Sequence, residues 1–265
     1  MKSRRLFLSL IVGVVVFAFI TIQADAGRQF FANFDNKGFP NNSVNDVKNW
    51  VPNNPAQKWG IQKAFDGDAL WHTTAGCASS GDTPLPINPE VMESWQDYIV
   101  RMDVAWKDDD SVGIFFRQTA EDKGYFAFFG YNETPRVILM DLAKGCGKVG
   151  LCLSEGANCE AGGALVIAEK PNGGPGLDQS GDVVYRCEVE VRGDRIKVSF
   201  GELKKKTVKT LIDVIDKTYT KGGVAIWQET CDNCLFDNIE VDVLAAVDPT
   251  SKLTTQWSVI KTSRY

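Results

Sequence analysis

The sequence predicts an all-β protein, and three observations support that prediction. Hydrophobic and polar residues alternate with a period of two along most of the chain, as in strands with one buried face. These strands follow one another at short intervals, joined by Gly- and Asn-rich connections. No segment has the pattern of an amphipathic helix, apart from one turn around residues 89–95. Many short strands connected in this way predict an antiparallel sandwich or barrel.

The clearest strand is predicted from Tyr98 to Trp106, and an Asp-rich turn at 107–110 follows it. Hairpin turns are predicted at 121–124 and at Gly193-Asp194. The remaining strands are predicted at 111–118, 125–131, 135–141, 183–192, 195–200, 207–214, 223–229 and 235–243. Because no internal repeat or linker interrupts this series, we expect a single domain.

The N-terminal segment has the features of a signal peptide. Basic residues precede an apolar run at 6–22, and Ala24-Asp25-Ala26 provides the small residues that a signal peptidase reads. We therefore expect residues 1–26 to be removed, leaving a domain at 27–244, a C-terminal tail at 245–265, and a secreted, extracellular protein. The alternative is an uncleaved membrane anchor, because the apolar run is close to the shortest length that spans a bilayer.

The charge balance narrows the classes of partner. The chain has a formal net charge of −5. An acidic surface argues against nucleic acid and against anionic membrane surfaces as partners. It is compatible with cations and with neutral glycans.

The seven cysteines are predicted to form disulfides rather than a metal site, because the expected compartment is oxidising. An odd number leaves one thiol unpaired. Cys187 is the candidate, since it shares the apolar face of a predicted strand with Tyr185 and Val189. The disulfide candidates are the six cysteines in loop-rich segments: Cys77, Cys146, Cys152, Cys159, Cys231 and Cys234.

Several segments also resemble, in the same order, the strand motifs of secreted laminin-G-like domains of the concanavalin A-like lectin/glucanase superfamily. They are W-G-I-Q-K-A-F-D-G-D-A-L-W at 59–71, G-I-F-F-R at 113–117 with G-Y-F-A-F at 124–128, the strand pair at 185–200, and G-G-V-A-I-W at 222–227 with F-D-N-I-E-V at 236–241. The Asp-rich turn before Gly113 also resembles the C-terminal lectin-like domain of thrombospondins. The resemblance implies an antiparallel two-sheet jelly-roll sandwich. The cysteine-rich insert at 144–159 and the tail lie outside the shared pattern.

The same resemblance implies a structural calcium ion between the first and last strands. Asp35 and Asp237 occupy the corresponding positions and are the expected charged ligands. The alternative is that Asp237 only caps a turn or binds a neighbouring amide. A second candidate place is the Asp-rich turn at 108–110.

A glycan-binding role requires an aromatic platform for the sugar's C–H face and planar hydrogen-bonding groups beside it. Alternation buries Val224 and Ile226 and turns Trp227 to the opposite face. Arg117 and Tyr125 lie on the neighbouring predicted hairpin and are expected to share that face. The alternative is that Arg117 pairs with an acidic neighbour and that Trp227 packs under a loop.

The sequence offers little for catalysis. His72 is the only histidine, so a multi-histidine metal site is excluded. A retaining glycoside hydrolase needs two carboxyl groups about 5 Å apart. The nearest pairs are Glu188/Glu190 and Glu240/Asp242, but both are better interpreted as outward polar positions of amphipathic strands.

We therefore expect a secreted, non-catalytic recognition module that binds a glycan or an extracellular protein partner, with calcium as its expected ion. Two alternatives are kept. One is a carbohydrate-active glycoside hydrolase, and the other is a disulfide-linked structural protein of a matrix or cell wall.

Overall fold

The described part of the chain is built almost entirely from strands. The computed structural model describes residues 27–32, 34, 59–65, 67–72, 85–87, 95–107, 111–120, 123–132, 134–142, 166–171, 178–228 and 234–244. Within these ranges fourteen strands form two sheets, and each strand pair is antiparallel. In the same ranges, no helix has the length and apolar character needed to cross a membrane.

The larger sheet has eight strands. Its members are β1 (Gly27–Ala32), β2 (Trp59–Ala64), β3 (Gly67–His72), β5 (Tyr98–Ala105), β10 (Tyr185–Arg192), β11 (Arg195–Glu202), β12 (Lys209–Ile215) and β14 (Leu235–Val243). The strand order is β12-β11-β10-β5-β14-β3-β2, and β1 pairs with β14. The first and the last of the described strands are therefore neighbours in one sheet.

The smaller sheet has six strands. Its members are β4 (Leu85–Ile87), β6 (Val112–Ala120), β7 (Lys123–Asn132), β8 (Thr134–Asp141), β9 (Val166–Pro171) and β13 (Gly223–Gln228), in the order β4-β13-β6-β7-β8-β9. Pro86 lies in β4 at the edge of this sheet, where a missing backbone donor is tolerated. The prediction of an antiparallel two-sheet jelly-roll sandwich is confirmed.

The core lies between the two sheets and follows the predicted alternation. Val100, Val104, Val189 and Ile226 are fully buried in one continuous apolar cluster. Cys187 lies in the same cluster and is a free, buried thiol, as predicted. Burial raises the pKa of this thiol well above its ordinary value, because the core disfavours the charged thiolate.

The strand bounds agree with the sequence predictions for most elements, and β14 matches the predicted bounds. Three strands were given no bounds from the sequence. β1 was implied only as the first strand of the family resemblance. β9 continues an apolar run into the charged segment Ala168-Glu169-Lys170 without alternation, and β4 is a three-residue strand that contains a proline. Neither segment carries a periodic signal, so only the tertiary pairing shows it as a strand.

Several predictions lie outside the described residues. They concern the signal peptide at 1–26, the tail from 245 onward, Asp35, and the five cysteines Cys77, Cys146, Cys152, Cys159 and Cys231. Cys234 is described and is fully buried in the core cluster. The pairing of the six candidate cysteines remains a prediction.

Candidate functional site

The outer face of the six-stranded sheet carries a cluster of large apolar side chains, which we call the aromatic face. Its members are Phe115, Phe126, Phe128, Ile138, Met140, Ala225 and Trp227. The Phe126 ring stacks on Phe115 at 4.3 Å between centroids and meets Trp227 edge-on at 5.2 Å. None of these side chains is more than 4% exposed. The aromatic face is therefore a second apolar core and not an open platform.

Two glycines allow the rings to lie close to the strands. A Cβ atom at Gly113 would collide with the Phe126 ring, and one at Gly130 would collide with the Phe128 ring. Gly113 is on β6 and Gly130 is on β7, so both central strands of the sheet are covered by rings at these points. The glycines are thus part of how the aromatic face packs.

The three predicted ligand-binding residues do not share one face. Trp227 does point away from Val224 and Ile226, as predicted. Tyr125, however, belongs to the inner core with Val224, because the alternation of β7 turns Phe126 and not Tyr125 outward. The predicted grouping of Arg117, Tyr125 and Trp227 is therefore wrong in geometry, and all three side chains are buried.

Arg117 is buried in a bulge of β6. Its backbone has a positive φ of 47°, and the register of β6 with β7 shifts there. The guanidinium donates hydrogen bonds to the carbonyl oxygens of Gln96, Gly193 and Tyr219 at 2.7–3.3 Å. It also lies 3.6 Å from the Asp97 carboxylate. The predicted alternative of an acidic partner is thus the one observed, and Arg117 joins three segments of the chain.

The Tyr125 hydroxyl is engaged in a similar structural contact. It donates to Asp216 Oδ1 at 2.5 Å and accepts the backbone N–H of Tyr219 at 3.1 Å. Burial, together with the neighbouring Asp216 carboxylate, raises the pKa of Tyr125 well above its ordinary value. The hydroxyl therefore stays protonated and serves to hold the segment before β13.

The outer face of the eight-stranded sheet is different in character, and we call it the charged face. It consists of the outward residues of β5, β10, β11 and β14. Those that form its ion pairs are Arg101, Asp103, Arg186, Glu188, Glu190, Arg192, Arg195, Lys197, Glu240 and Asp242, and Arg195 pairs with Asp213 on the neighbouring β12. Many of these side chains are partly open to solvent, so this is the face on which a ligand can reach polar groups.

Arg101 is the centre of the charged face. Its Nε donates to Glu188 at 2.6 Å, and its Nη1 donates to Glu240 at 2.8 Å and to Asp242 at 2.7 Å. The register explains the convergence, because Glu188 on β10 and Glu240 on β14 both stand directly opposite Arg101 on β5. The side chains of Arg101, Glu188 and Asp242 are 19%, 23% and 28% exposed. Three carboxylates thus surround one guanidinium at a surface that solvent reaches.

The two carboxylate pairs considered for catalysis are both outward, as predicted. The sequence did not show that these carboxylates converge. Glu188 on β10 and the pair Glu240 and Asp242 on β14 all bind the Arg101 guanidinium. The signal was present in the alternating charges R-x-D on β5, E-x-E on β10 and E-x-D on β14. It becomes meaningful only when β5 is known to lie between β10 and β14.

A second ion pair lies beside the Arg101 cluster. Arg186 binds the Asp103 carboxylate with two parallel hydrogen bonds of 2.8 and 2.9 Å, and the Asn238 amide donates to Asp103 at 3.1 Å. The bond to Asp103 raises the pKa of Arg186. Asp103 is only 1% exposed, so this bidentate pair anchors the face from beneath.

Asp237 is the described half of the predicted calcium site, and one of its carboxylate oxygens, Oδ2, contacts a neighbouring side chain. Asp237 accepts a hydrogen bond from the Asn238 amide at 3.3 Å and stands opposite Asp103 in the sheet register. Asp35, the other predicted ligand, lies outside the described residues. In the part of the chain that the structure describes, no group of three or more His, Cys, Asp or Glu side chains is placed to hold a metal ion. Calcium at Asp35 and Asp237 remains a prediction.

The charged face ends in a pocket at the β10–β11 turn, which we call the turn pocket. It has a volume of about 370 Å³ and is lined by Glu190, Arg192, Arg195 and Lys197. Glu190 accepts hydrogen bonds from Arg192 Nε at 2.7 Å and from Lys197 Nζ at 3.3 Å. Burial opposes ionisation of Glu190, but the bonds from Arg192 and Lys197 lower its pKa overall.

Comparison with known proteins supports the fold. No protein-family model matches the chain, and no curated protein matches it in sequence. A Bacillus subtilis protein of unknown function with a galectin-like fold is similar over 82% of this chain and 96% of its own, with a TM-score of 0.51 and 13% identity. The fold is a galectin-like, concanavalin A-like β-sandwich. The resemblance to laminin-G-like domains remains a prediction.

Two other similar structures have lower scores. The exoplasmic/lumenal domain of VIP36 in a Ca²⁺- and Man2-bound form covers 75% of this chain and 85% of its own, with a TM-score of 0.49 and 12% identity. The Bacillus licheniformis GH43 protein BlXynB has a TM-score of 0.48 and 11% identity. The match covers 82% of this chain but only 39% of the BlXynB chain.

Proposed function

We propose that this protein is a secreted, non-catalytic carbohydrate-binding module and that the charged face is its binding surface. The observation that carries the proposal is the Arg101 cluster, in which carboxylates and a guanidinium are held by one another and remain partly exposed. Sugar hydroxyls both donate and accept hydrogen bonds, so they match a surface that offers acceptors and donors side by side. The galectin-like sandwich is compatible with this role.

The aromatic face is the less suitable candidate. A sugar stacks on an aromatic ring only if the ring's face is open, and Phe126 and Trp227 are at most 1% exposed. Binding there would first require the cluster to be uncovered, at the expense of its apolar burial. The charged face needs no such rearrangement.

The Arg101 cluster also favours binding over glycoside hydrolysis. A retaining hydrolase needs one carboxyl group that is protonated and donates its proton to the leaving oxygen. Here three carboxylates converge on one guanidinium and accept hydrogen bonds from it, so all three act as acceptors. The arrangement is suited to accepting hydrogen bonds from sugar hydroxyls rather than to giving up a proton.

The disulfide-linked structural role receives no help from the unpaired cysteine. Cys187 is fully buried and its pKa is raised, so its thiol is not positioned to join a second chain. Export, the disulfides among the other six cysteines, and calcium at Asp35 and Asp237 all belong to the proposal as predictions from the sequence.

The proposal is tested by glycan-array binding of the purified protein, once with calcium and once with a chelator. Glu188→Gln and Asp242→Asn keep the side-chain shapes of the Arg101 cluster but remove one charged acceptor each. We expect each to weaken glycan binding about tenfold, since a hydrogen bond to a charged group contributes about 1.5–3 kcal/mol.

Asp182→Asn is the matched control, because Asp182 is an exposed carboxylate outside the charged face and its loss should leave affinity unchanged. The proposal fails if no glycan binds, or if Glu188→Gln and Asp242→Asn bind as tightly as the control. Loss of binding with the chelator would support the calcium prediction separately.

A further inference from the structure

We infer that the turn pocket binds a sugar unit that carries a single negative charge. The inference rests on the proposed function and adds the charge of the ligand to it. The pocket is lined by three cations, Arg192, Arg195 and Lys197, and by one anion, Glu190. In a chain with a net charge of −5, this is a local concentration of positive charge.

The charge balance selects a ligand with one negative charge. Glu190 neutralises one of the three cations, and Asp213 pairs with Arg195 through bonds of 2.7 and 2.6 Å. One positive charge is therefore left over among these five groups. A sugar carboxylate or a monosulfate ester matches it, whereas a phosphate monoester with two charges would not be fully balanced.

The cations still have donors for a ligand. Within the described part of the chain, Arg192 uses its Nε for Glu190, and Arg195 uses Nε and Nη2 for Asp213. The planar Nη groups of Arg192 and the Nη1 of Arg195 are thus left to bind oxygens. The Arg192 and Arg195 side chains are 51% and 54% exposed, so a ligand reaches them from solvent. Guanidinium groups bind carboxylate and sulfate oxygens with paired, charge-assisted hydrogen bonds.

The turn pocket is continuous with the Arg101 cluster. Glu190 is the next outward residue after Glu188 on β10, and Lys197 on β11 stands directly opposite Glu190. A glycan bound over Arg101 would therefore extend along β10 into the pocket. The neutral part of the glycan would contact the Arg101 cluster, and the charged unit would contact Arg192 and Arg195.

The test compares three oligosaccharide probes by titration calorimetry: an oligogalactose that carries one galacturonate unit, the methyl ester of the same oligosaccharide, and a monosulfated oligogalactose. The methyl ester keeps the sugar but removes the charge. We expect the charged probes to bind at least about tenfold more tightly than the ester, and this advantage to shrink in high salt. The relative affinity of the uronate and the sulfated probe identifies which of the two sources supplies the charge.

The variant Arg192→Gln/Arg195→Gln should bring the affinity for the charged probes down to that of the ester. Lys204→Gln is the control, because Lys204 is exposed in the turn after β11, at the other end of the strand from the pocket. Denaturant unfolding of each variant verifies that it is folded.

The outcomes separate this inference from the proposed function. Binding of neutral glycans that depends on Glu188 but is unaffected by Arg192→Gln/Arg195→Gln, with no preference for charged probes, overturns the turn pocket alone. Absence of binding to every glycan overturns both. A charge preference that survives in Arg192→Gln/Arg195→Gln also overturns the inference, since the charge would then be recognised elsewhere.

Discussion

The two outer faces of the sandwich are built on strands with the same alternation, yet they lie in opposite environments. On the six-stranded sheet the outward residues are aromatic and buried, with Phe126 and Trp227 at its centre. On the eight-stranded sheet the outward residues are charged, and ion pairs around Arg101 face solvent. The comparison shows that alternation decides which face a side chain joins but not whether that face is open.

The two outer faces are also expected to have different roles, the aromatic face in stability and the charged face in recognition. A buried aromatic cluster contributes free energy of folding through the area that it removes from water. An exposed array of ion pairs contributes little to folding but presents polar atoms to a ligand. We therefore expect substitutions on the aromatic face to act mainly on stability and those on the charged face mainly on binding.

Trp227→Ala should have the largest effect on stability. Loss of a fully buried indole from the aromatic face is expected to lower the free energy of unfolding by about 3–5 kcal/mol, measured by denaturant titration. Leu203→Ala is the control, because Leu203 is 36% exposed and should lose less than about 1 kcal/mol. Equal stability of Trp227→Ala and wild type would show that the aromatic face is not a second core.

Arg101→Met should have a smaller effect on stability, of about 1–3 kcal/mol, because it leaves three carboxylates close together without their shared cation. The loss should be reduced in high salt, which screens repulsion between the carboxylates. Lys63→Met is the control, because the Lys63 side chain that pairs with Asp68 is 83% exposed and its loss should cost less than about 0.5 kcal/mol. A loss for Arg101→Met that does not depend on salt would contradict the electrostatic explanation.

Gly113→Ala tests how closely the aromatic face packs on β6. The added methyl group collides with the Phe126 ring, so we expect a loss of about 1–3 kcal/mol in denaturant unfolding. Gly193→Asn is the control, since nothing lies within 4 Å of a Cβ there and asparagine tolerates a positive φ. If Gly113→Ala were as stable as the control, the ring would have room to move and the face would be loosely packed.

The smallest effect is expected at the exposed pair of Arg195 and Asp213. The hydrogen bond from Arg195 lowers the pKa of Asp213 below its ordinary value, so the pair stabilises the fold at neutral pH. This contribution is lost as the pH falls through the lowered pKa, because the protonated carboxyl no longer binds the guanidinium as an ion. In Arg195→Gln, carboxyl NMR titration should show the Asp213 pKa rising to its ordinary range.

Glu190 provides an internal control in the same titration. Its lowered pKa depends on Arg192 and Lys197, so it should stay low in Arg195→Gln. Parallel shifts of Glu190 and Asp213 would mean that the turn pocket behaves as one coupled network rather than as two separate pairs.

The amino-acid sequence predicted much of the fold but little of the candidate site. Period-two alternation was enough to predict most of the strands, a sandwich or barrel, and the buried thiol of Cys187, because each depends on local pattern. It could not predict that Glu188, Glu240 and Asp242 meet at Arg101, since that depends on which strands are neighbours. Tyr125 was placed on the wrong face because the outward position on β7 belongs to Phe126.

The contacts of Arg117 have a consequence for affinity. Gly193, in the turn between Arg192 and Arg195, donates its N–H to the Asp97 carboxylate at 2.8 Å, and its carbonyl accepts from Arg117. The hairpin tip is thus tethered through both backbone groups before any ligand arrives. A preorganised tip loses little conformational entropy on association, so more of the interaction energy of Arg192 and Arg195 would be retained as affinity.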